Sequence, residues 1–135
     1  MSKDCIFCRI ARNEEPASFV YHDESVIAFL DARPISEGHT LVVPRRHYEN
    51  IFVVPEEELA YLFKIVKRVA LAVSKSENAE GISLIQNNGS AAHQVVFHFH
   101  VHVIPRSVGR VSQMPRVVAE QAELDKVAVR IRKYI

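Results

Sequence analysis

Apolar and polar positions alternate with two different periods along this chain, and each change of period marks an element. Over residues 18–31, SFVYHDESVIAFLD, two apolar runs flank the polar stretch His22-Asp23-Glu24-Ser25, the pattern of a hairpin. HTLVVP (39–44) is a third strand, which Pro44 ends because it has no ladder donor. GISLIQNN (81–88) and QVVFHFHVHVIP (94–105) read as two more strands. A helical period lies between them. Leu59, Leu62, Phe63, Val66, Val69, Ala70 and Val73 form one apolar stripe. Pro55 suits the first helical position, and Glu56, Glu57 and Glu58 suit the positive end of the helix dipole. A short helix precedes residue 14, with Ile6 and Ile10 four apart and Asp4 placed to cap it. A last helix runs from about Glu120 to Tyr134, where Leu124, Val127, Ala128 and Ile131 share a face. Its final turn carries Arg130, Arg132 and Lys133, which reads as a solvated C-terminus. Residues 107–115 are loop-like.

Strands in direct succession are most simply antiparallel. The expected fold class is α+β: a mainly antiparallel five-stranded sheet with a long central helix and a C-terminal helix, the helices covering one face. No linker or repeat divides the 135 residues, so one domain spans 1–135.

Composition narrows the function classes. Hydrophobic residues make up 48% and charged residues 24%, a globular balance. The net charge of +1 gives no electrostatic case for nucleic acid or a membrane surface as partner. No apolar run approaches the ~20 residues of a spanning helix, and the start, MSKDCIFCRI, does not read as a signal peptide. Two cysteines make no disulfide framework, so a reducing cytoplasm is the expected compartment.

The segment HFHVHV (98–103) carries the chemistry. Side chains on a strand alternate faces, so His98, His100 and His102 point one way, ~6.6 Å apart. Phe97, Phe99, Val101 and Val103 point the other way and suit the core, which leaves the histidine face for chemistry. An exposed face needs no imidazoles, whereas imidazole acts as nucleophile, proton carrier or metal ligand near neutral pH. Positions i and i+4 on a strand lie ~13 Å apart, so three in-line histidines do not converge on one ion. CIFC (5–8) alone leaves three readings open: a redox pair, half of a zinc site, or two buried thiols.

HFHVHVIP resembles the signature of the histidine triad family of nucleotide hydrolases and transferases. DCIFCRI, VIAFLDARPISEGHTLVVPRRH and LIQNNGSAAHQVVFHFHVHVIPR resemble further family segments in family order, over about residues 4 to 106. The resemblance implies a HIT-like core over that span with a C-terminal helical extension over about 107–135. It implies cleavage at the α-phosphate of a purine nucleotide, in a phosphoramidate or dinucleoside polyphosphate, through a nucleotidyl-histidine intermediate. His100 would be the nucleophile, His102 its assistant, Gln94 a phosphate contact and His39 a further active-site histidine. Asp31 would hold the ribose, Asn87 would lie near the phosphate, and Ile6, Phe7, Phe29 and Leu41 would line the base pocket. Zinc-binding relatives imply a closed structural site of Cys5, Cys8, His47 and His98, with no catalytic metal. The family is usually a homodimer. The alternative is a nucleotide-binding protein whose catalysis is vestigial. Two positions depart from the commoner pattern: His93 stands where many members have Gly, and Val95 where many have Ser or Thr. The lost hydroxyl puts efficient phosphoramidate cleavage in doubt. His22 carries no assigned role.

Overall fold

The computed structural model describes residues 4–109 and 116–135. In chain order they form α1 (Ile6–Ala11), β1 (Phe19–His22), β2 (Val26–Leu30), β3 (Thr40–Pro44), α2 (Glu56–Ser76), β4 (Gly81–Ile85), a 3-10 turn (Ser90–Ala92), β5 (Val101–Arg106) and α3 (Gln121–Arg132). The strands make one five-stranded antiparallel sheet in the order β1-β2-β3-β5-β4. The fold class is therefore α+β, as the patterning predicts. Of the expected loop 107–115, residues 110–115 lie outside the described residues.

The sheet is covered on both sides rather than one. Val26, Ala28, Leu30, Val42, Phe99, Val101 and Val103 face α2 and α3 in the main core. The intervening residues Ile27, Phe29, Leu41 and Val43 pack with Phe7 and Ile10 of α1 in a second core. The histidine side is thus not an open face: α1 lies over it, and His98 is fully buried. β2 and β3 are buried along their whole length because both neighbours exclude water from them.

Several boundaries differ from the patterning. Cys5, not Asp4, caps α1, its Sγ accepting the Cys8 N–H at 3.4 Å. Pro55 is the residue before α2 rather than its first. The buried stripe of α2 runs through Leu62, Ile65, Val66, Val69, Ala72 and Val73, while Phe63 is exposed. Each fully buried apolar side chain contributes roughly 1.5–3 kcal/mol, so this stripe fixes the helix to the sheet. β4 stops at Ile85, and β5 begins only at Val101. His93 takes a left-handed backbone at φ 68 after the 3-10 turn, and of the strand expected over 94–105 only the part from Val101 pairs with its neighbours. Phe99 N then bonds Tyr48 O at 2.7 Å instead of a strand partner, and Phe97 is exposed rather than core.

The basic end of α3 is not simply solvated. Arg130 Nη2 donates to the buried Glu77 at 2.7 Å, and Arg132 Nη1 donates to Phe19 O. Gly38 packs on Glu77 from the other side. Its φ is +98, and a Cβ at this position would meet Glu77 Cγ at 2.6 Å, so no other residue fits there without movement. This junction delivers the next residue, His39, into the interior.

Candidate functional site

Two clusters meet along the segment 98–102. The first joins α1, the loop after β3 and the residues leading into β5. His98 Nδ1 lies 3.3 Å from Cys5 Sγ and 3.5 Å from Cys8 Sγ. His47 Nδ1 lies 3.4 Å from Cys8 Sγ and 3.2 Å from His98 Nδ1. Bonds of ~2.0 Å to nitrogen and ~2.3 Å to sulfur in a tetrahedron separate ligand atoms by about 3.3–3.8 Å, which is the spacing seen. The donor set also fits. Pro44 O, which only accepts, lies 2.7 Å from His98 Nε2, so Nε2 carries the proton and Nδ1 offers its lone pair to the cluster. Neither cysteine is in a disulfide. The four residues can hold a metal ion, and zinc is the ion that this donor set suits.

The second cluster is Asp31, His39 and His102, whose ligand-type atoms also lie within 4.8 Å of one another. Its protons argue against a metal. Ile35 N–H donates to His39 Nδ1 at 3.0 Å, so the neutral ring carries its own proton on Nε2. His39 Nε2 then donates to His102 Nδ1 at 2.9 Å, which puts the His102 proton on its Nε2. A protonated Nε2 is a donor and not a ligand. Burial keeps both rings uncharged, holding His39 down to about 3 and His102 to about 4. Asp31 opposes this in both rings and does not overcome it.

Between the clusters stands His100. Its Nδ1–H donates to the His98 backbone oxygen at 2.7 Å, leaving the lone pair on Nε2. Burial lowers its pKa, against the His98 hydrogen bond and Asp31, which raise it, so the ring is neutral near pH 7. Phe7 meets it edge-on at 5.1 Å and His102 at 5.0 Å, which fixes the ring plane. The result is an oriented, uncharged imidazole with an available nitrogen.

His100 and His102 line a cavity of about 720 Å³, within the ~300–1,000 Å³ range of small-molecule sites. Ile6, Phe7, Phe29, Leu41, Asp31 and Asn87 line the same cavity, as do His93 and Val95. His39 is not in that lining and sits behind His102. Gln94 is buried and also absent from the lining. Its Oε1 accepts from Gly89 N at 2.7 Å, and its Nε2 donates to Glu49 O at 2.7 Å and Val96 O at 3.1 Å. The amide is spent on the backbone of the turn.

One residue of the site had no signal in the sequence. Arg116 Nη2 donates to Asp31 Oδ2 at 2.6 Å, and its Nε donates to Arg33 O at 2.6 Å. Asp31 Oδ1 accepts from Arg33 N at 2.8 Å. The segment bearing Arg116 is docked again by Ala119 N to Ala32 O. Arg116 is 85 residues from Asp31 in the chain, so no local motif could connect them.

The HIT domain family model matches residues 12–109. An uncharacterized HIT-like protein of Methanocaldococcus jannaschii is 42% identical over 128 residues, 95% of this chain and 98% of that protein. The adenylylsulfatase HINT3 of Arabidopsis thaliana is 38% identical over 106 residues, 78% of this chain and 54% of that protein. The crystal structure of a Zn-bound histidine triad family protein from Mycobacterium smegmatis matches with a TM-score of 0.86 and 33% identity, over 97% of this chain and 92% of that one. Fold, histidine segment and Cys2His2 cluster agree with these matches, and the chain belongs to the HIT domain family.

Proposed function

We propose that this protein is a nucleotidyl hydrolase or transferase that cleaves a purine nucleotide at its α-phosphate through a nucleotidyl-His100 intermediate. The observation that carries the reading is the tautomer of His100: Nδ1–H held by the His98 oxygen, Nε2 free on a ring that lines the cavity. In the first step Nε2 bonds the α-phosphorus while the bond to the leaving group breaks, its electron pair departing with that group. In the second, a water oxygen attacks phosphorus, the P–N bond returns its pair to Nε2, and the water's proton goes to solvent. His102 Nε2–H hydrogen-bonds the phosphate oxygens, with its tautomer set by His39. Asp31 receives the ribose hydroxyls, Asn87 lies towards the phosphate, and Ile6, Phe7, Phe29 and Leu41 flank the base. Gln94 acts from behind, shaping the turn 89–96.

Zinc held by Cys5, Cys8, His47 and His98 has a structural part in this reading, tying α1 to the catalytic segment. A cytoplasmic location suits the reduced thiols. A homodimer would cover Leu84 on the edge strand β4 and Leu71 on α2, both exposed. Among the described residues no helix is long and apolar enough to cross a membrane.

Intact-protein mass spectrometry after rapid quenching with adenosine 5′-phosphosulfate and with an adenosine phosphoramidate tests the reading. The expected result is an adenylyl adduct that maps to His100 and is absent from His100→Ala. Nucleotide binding with neither adduct nor turnover would leave the vestigial alternative in its place.

A further inference from the structure

Transfer to His100 and the hydrolysis that follows each move a proton. A basic leaving group takes one up as it departs, and the attacking water gives one away. Most side chains that line the cavity cannot carry it. His100 keeps its Nδ1–H on the His98 oxygen and spends Nε2 on phosphorus. His102 is held neutral by burial, with its one proton on Nε2 and its Nδ1 filled by the His39 N–H. A neutral imidazole that lost that proton would become an anion. Resupply from behind is blocked, because His39 Nδ1 accepts from the Ile35 amide, which does not release its proton. The guanidiniums of Arg33 and Arg116 do not give theirs up. Ser18 donates to Asp125 Oδ1 at 2.6 Å and accepts from Gln121 Nε2 at 2.6 Å. The Asp31 oxygens are taken by Arg116 Nη2 and by Arg33 N. Val95 has no proton to exchange.

His93 lines the same cavity and is committed to nothing. Its side chain is exposed, and among the described residues its ring makes no hydrogen bond, ion pair or ring contact. Imidazole both gives and accepts a proton near neutral pH, and an exposed ring exchanges that proton with solvent.

The backbone holds this ring in place. Ala92 N and Gln94 N both donate to Gly89 O at 3.1 Å, and His93 N donates to Ser90 O at 3.0 Å. Gln94 is buried and pins the turn from beneath through Gly89 N, Glu49 O and Val96 O. His93 itself sits at φ 68, ψ 24, a left-handed backbone that glycine adopts without steric cost. A full side chain kept in a sparsely populated conformation beside a cavity points to use of that side chain.

We propose that His93 is the proton carrier of this site, acid to the leaving group in the first step and base to water in the second. The proposal rests on the nucleotidyl-transfer reading above. In the first step the His100 Nε2–P bond forms and the bond to the leaving atom breaks. The electron pair stays on that atom, which takes the proton of the His93 imidazolium. In the second step water oxygen bonds phosphorus, and the P–N pair returns to His100 Nε2. The water's proton goes to the now neutral His93, which restores the imidazolium or passes the proton on to solvent. One proton leaves His93 and one returns in each cycle. A leaving group that departs as a stable anion needs the second transfer only.

Two probes separate the transfers: an adenosine 5′-phosphoramidate of a primary alkyl amine, and the p-nitrophenyl ester of adenosine 5′-monophosphate. Formation and decay of the adenylyl-His100 adduct are followed by rapid quench and intact-protein mass spectrometry. Wild type, His93→Gly and His93→Asn are compared, each first confirmed as folded by its thermal melt. Both replacements accept the left-handed backbone, and neither carries a proton near neutral pH. With the amine probe, adduct formation is expected to fall by about 100-fold in both variants, the scale of general acid catalysis. With the nitrophenyl probe, adduct formation should change by less than about 3-fold while adduct decay slows by about 100-fold, so that a burst of nitrophenolate precedes slow turnover. Added imidazole should restore both lost steps in His93→Gly in proportion to its concentration. Equal losses of adduct formation on the two probes would mean that the ring binds phosphate rather than carrying a proton, and would overturn the assignment. Unchanged rates in both variants, or losses that imidazole does not restore, would overturn it as well. An adduct on His100 from either probe keeps the nucleotidyl-transfer reading whatever His93 does, while no adduct and no turnover from either in wild type overturns both.

Discussion

His98 touches His100 through its backbone, not its ring: the His98 carbonyl oxygen accepts the His100 Nδ1–H at 2.7 Å, while the His98 ring faces Cys5 and Cys8. One residue thus serves both the metal-type cluster and the oriented imidazole. Purified protein is expected to carry one equivalent of zinc by elemental analysis. Chelation, or Cys8→Ser, should lower the melting temperature by more than ~10 °C, because a closed Cys2His2 site contributes folding energy directly. Adduct formation at His100 should slow rather than stop, since the backbone bond to His98 remains when the ligand is lost. Full zinc removal with an unchanged melt would show that the cluster is not structural.

Acid should destabilise the protein earlier than its carboxylates alone would. His39 is held down to about 3 and His102 to about 4, chiefly by burial, while an unfolded histidine titrates near ~6.5. The unfolded chain therefore binds protons first as pH falls. The stability from these neutral rings is complete above ~6.5 and declines towards the folded values, by about 1.4 kcal/mol per pH unit for each ring. His39→Gln removes one titrating ring and isolates its share from that of the zinc ligands. In urea unfolding, the variant should be less stable at pH 8, and the gap to wild type should narrow by about 2 kcal/mol between pH 7 and pH 5. Parallel curves would mean that His39 is charged or solvated in the folded state. The lowered His100 pKa has a matching consequence for rate: the acid limb of kcat/KM should fall below the ordinary histidine range.

The fold was legible wherever one face of an element is buried and the other is not. α3 is the clearest case, with Leu124, Val127, Ala128 and Ile131 all buried as their spacing predicts. The hairpin of β1 and β2 and the end of β3 at Pro44 follow the same logic. Period fails where both faces are buried or where a turn intrudes. The strand expected over residues 94–100 does not form: the chain bends at 96–98 and Phe99 N bonds Tyr48 O rather than a neighbouring strand, a contact across the fold that no pattern of apolar residues encodes. On α2 the spacing expects Phe63 in the core, yet Ile65 is buried and Phe63 is exposed. Apolar spacing leaves the rotation of a helix uncertain by about one residue, and the tertiary contacts decide it. In the site, residues of three separate segments, among them Ile6, Asp31, Leu41, Asn87 and His100, line one cavity, while His39 and Gln94 of the same segments do not. Arg116 and the Ile35 amide were invisible because one is a contact across 85 residues and the other is a backbone group.

Gln94 is expected to matter for the turn before it matters for substrate. Its Nε2 donates to two carbonyls, Glu49 O and Val96 O, while its Oε1 takes the Gly89 N–H. Gln94→Glu would turn a carboxylate oxygen towards those two carbonyls in a buried position, leaving acceptors facing acceptors. A cost of about 2–4 kcal/mol is expected from the unsatisfied, repelling groups. Thermal melts should show it as a lowered midpoint that partly recovers at about pH 4, where the introduced carboxyl takes up a proton and regains a donor. If the melt is unchanged and only KM for nucleotide rises, the amide contacts substrate and the turn does not depend on it.

His93 has the opposite profile, a side chain that its own backbone does not favour. It is exposed and sits at φ 68, ψ 24, a left-handed conformation that costs a non-glycine residue roughly 1–2 kcal/mol. Glycine removes that strain but loses more freedom on folding, at about 0.5–1 kcal/mol. His93→Gly should therefore fold with stability equal to wild type or up to about 1 kcal/mol higher, read as the urea midpoint at constant slope. His93→Val, branched at Cβ, should lose more than about 1 kcal/mol because the left-handed region is least accessible to it. A large loss in the glycine variant would mean that the imidazole makes stabilising contacts, and the strain argument would fail. With stability unchanged, any change in turnover in His93→Gly comes from the imidazole that lines the cavity and not from a misfolded turn.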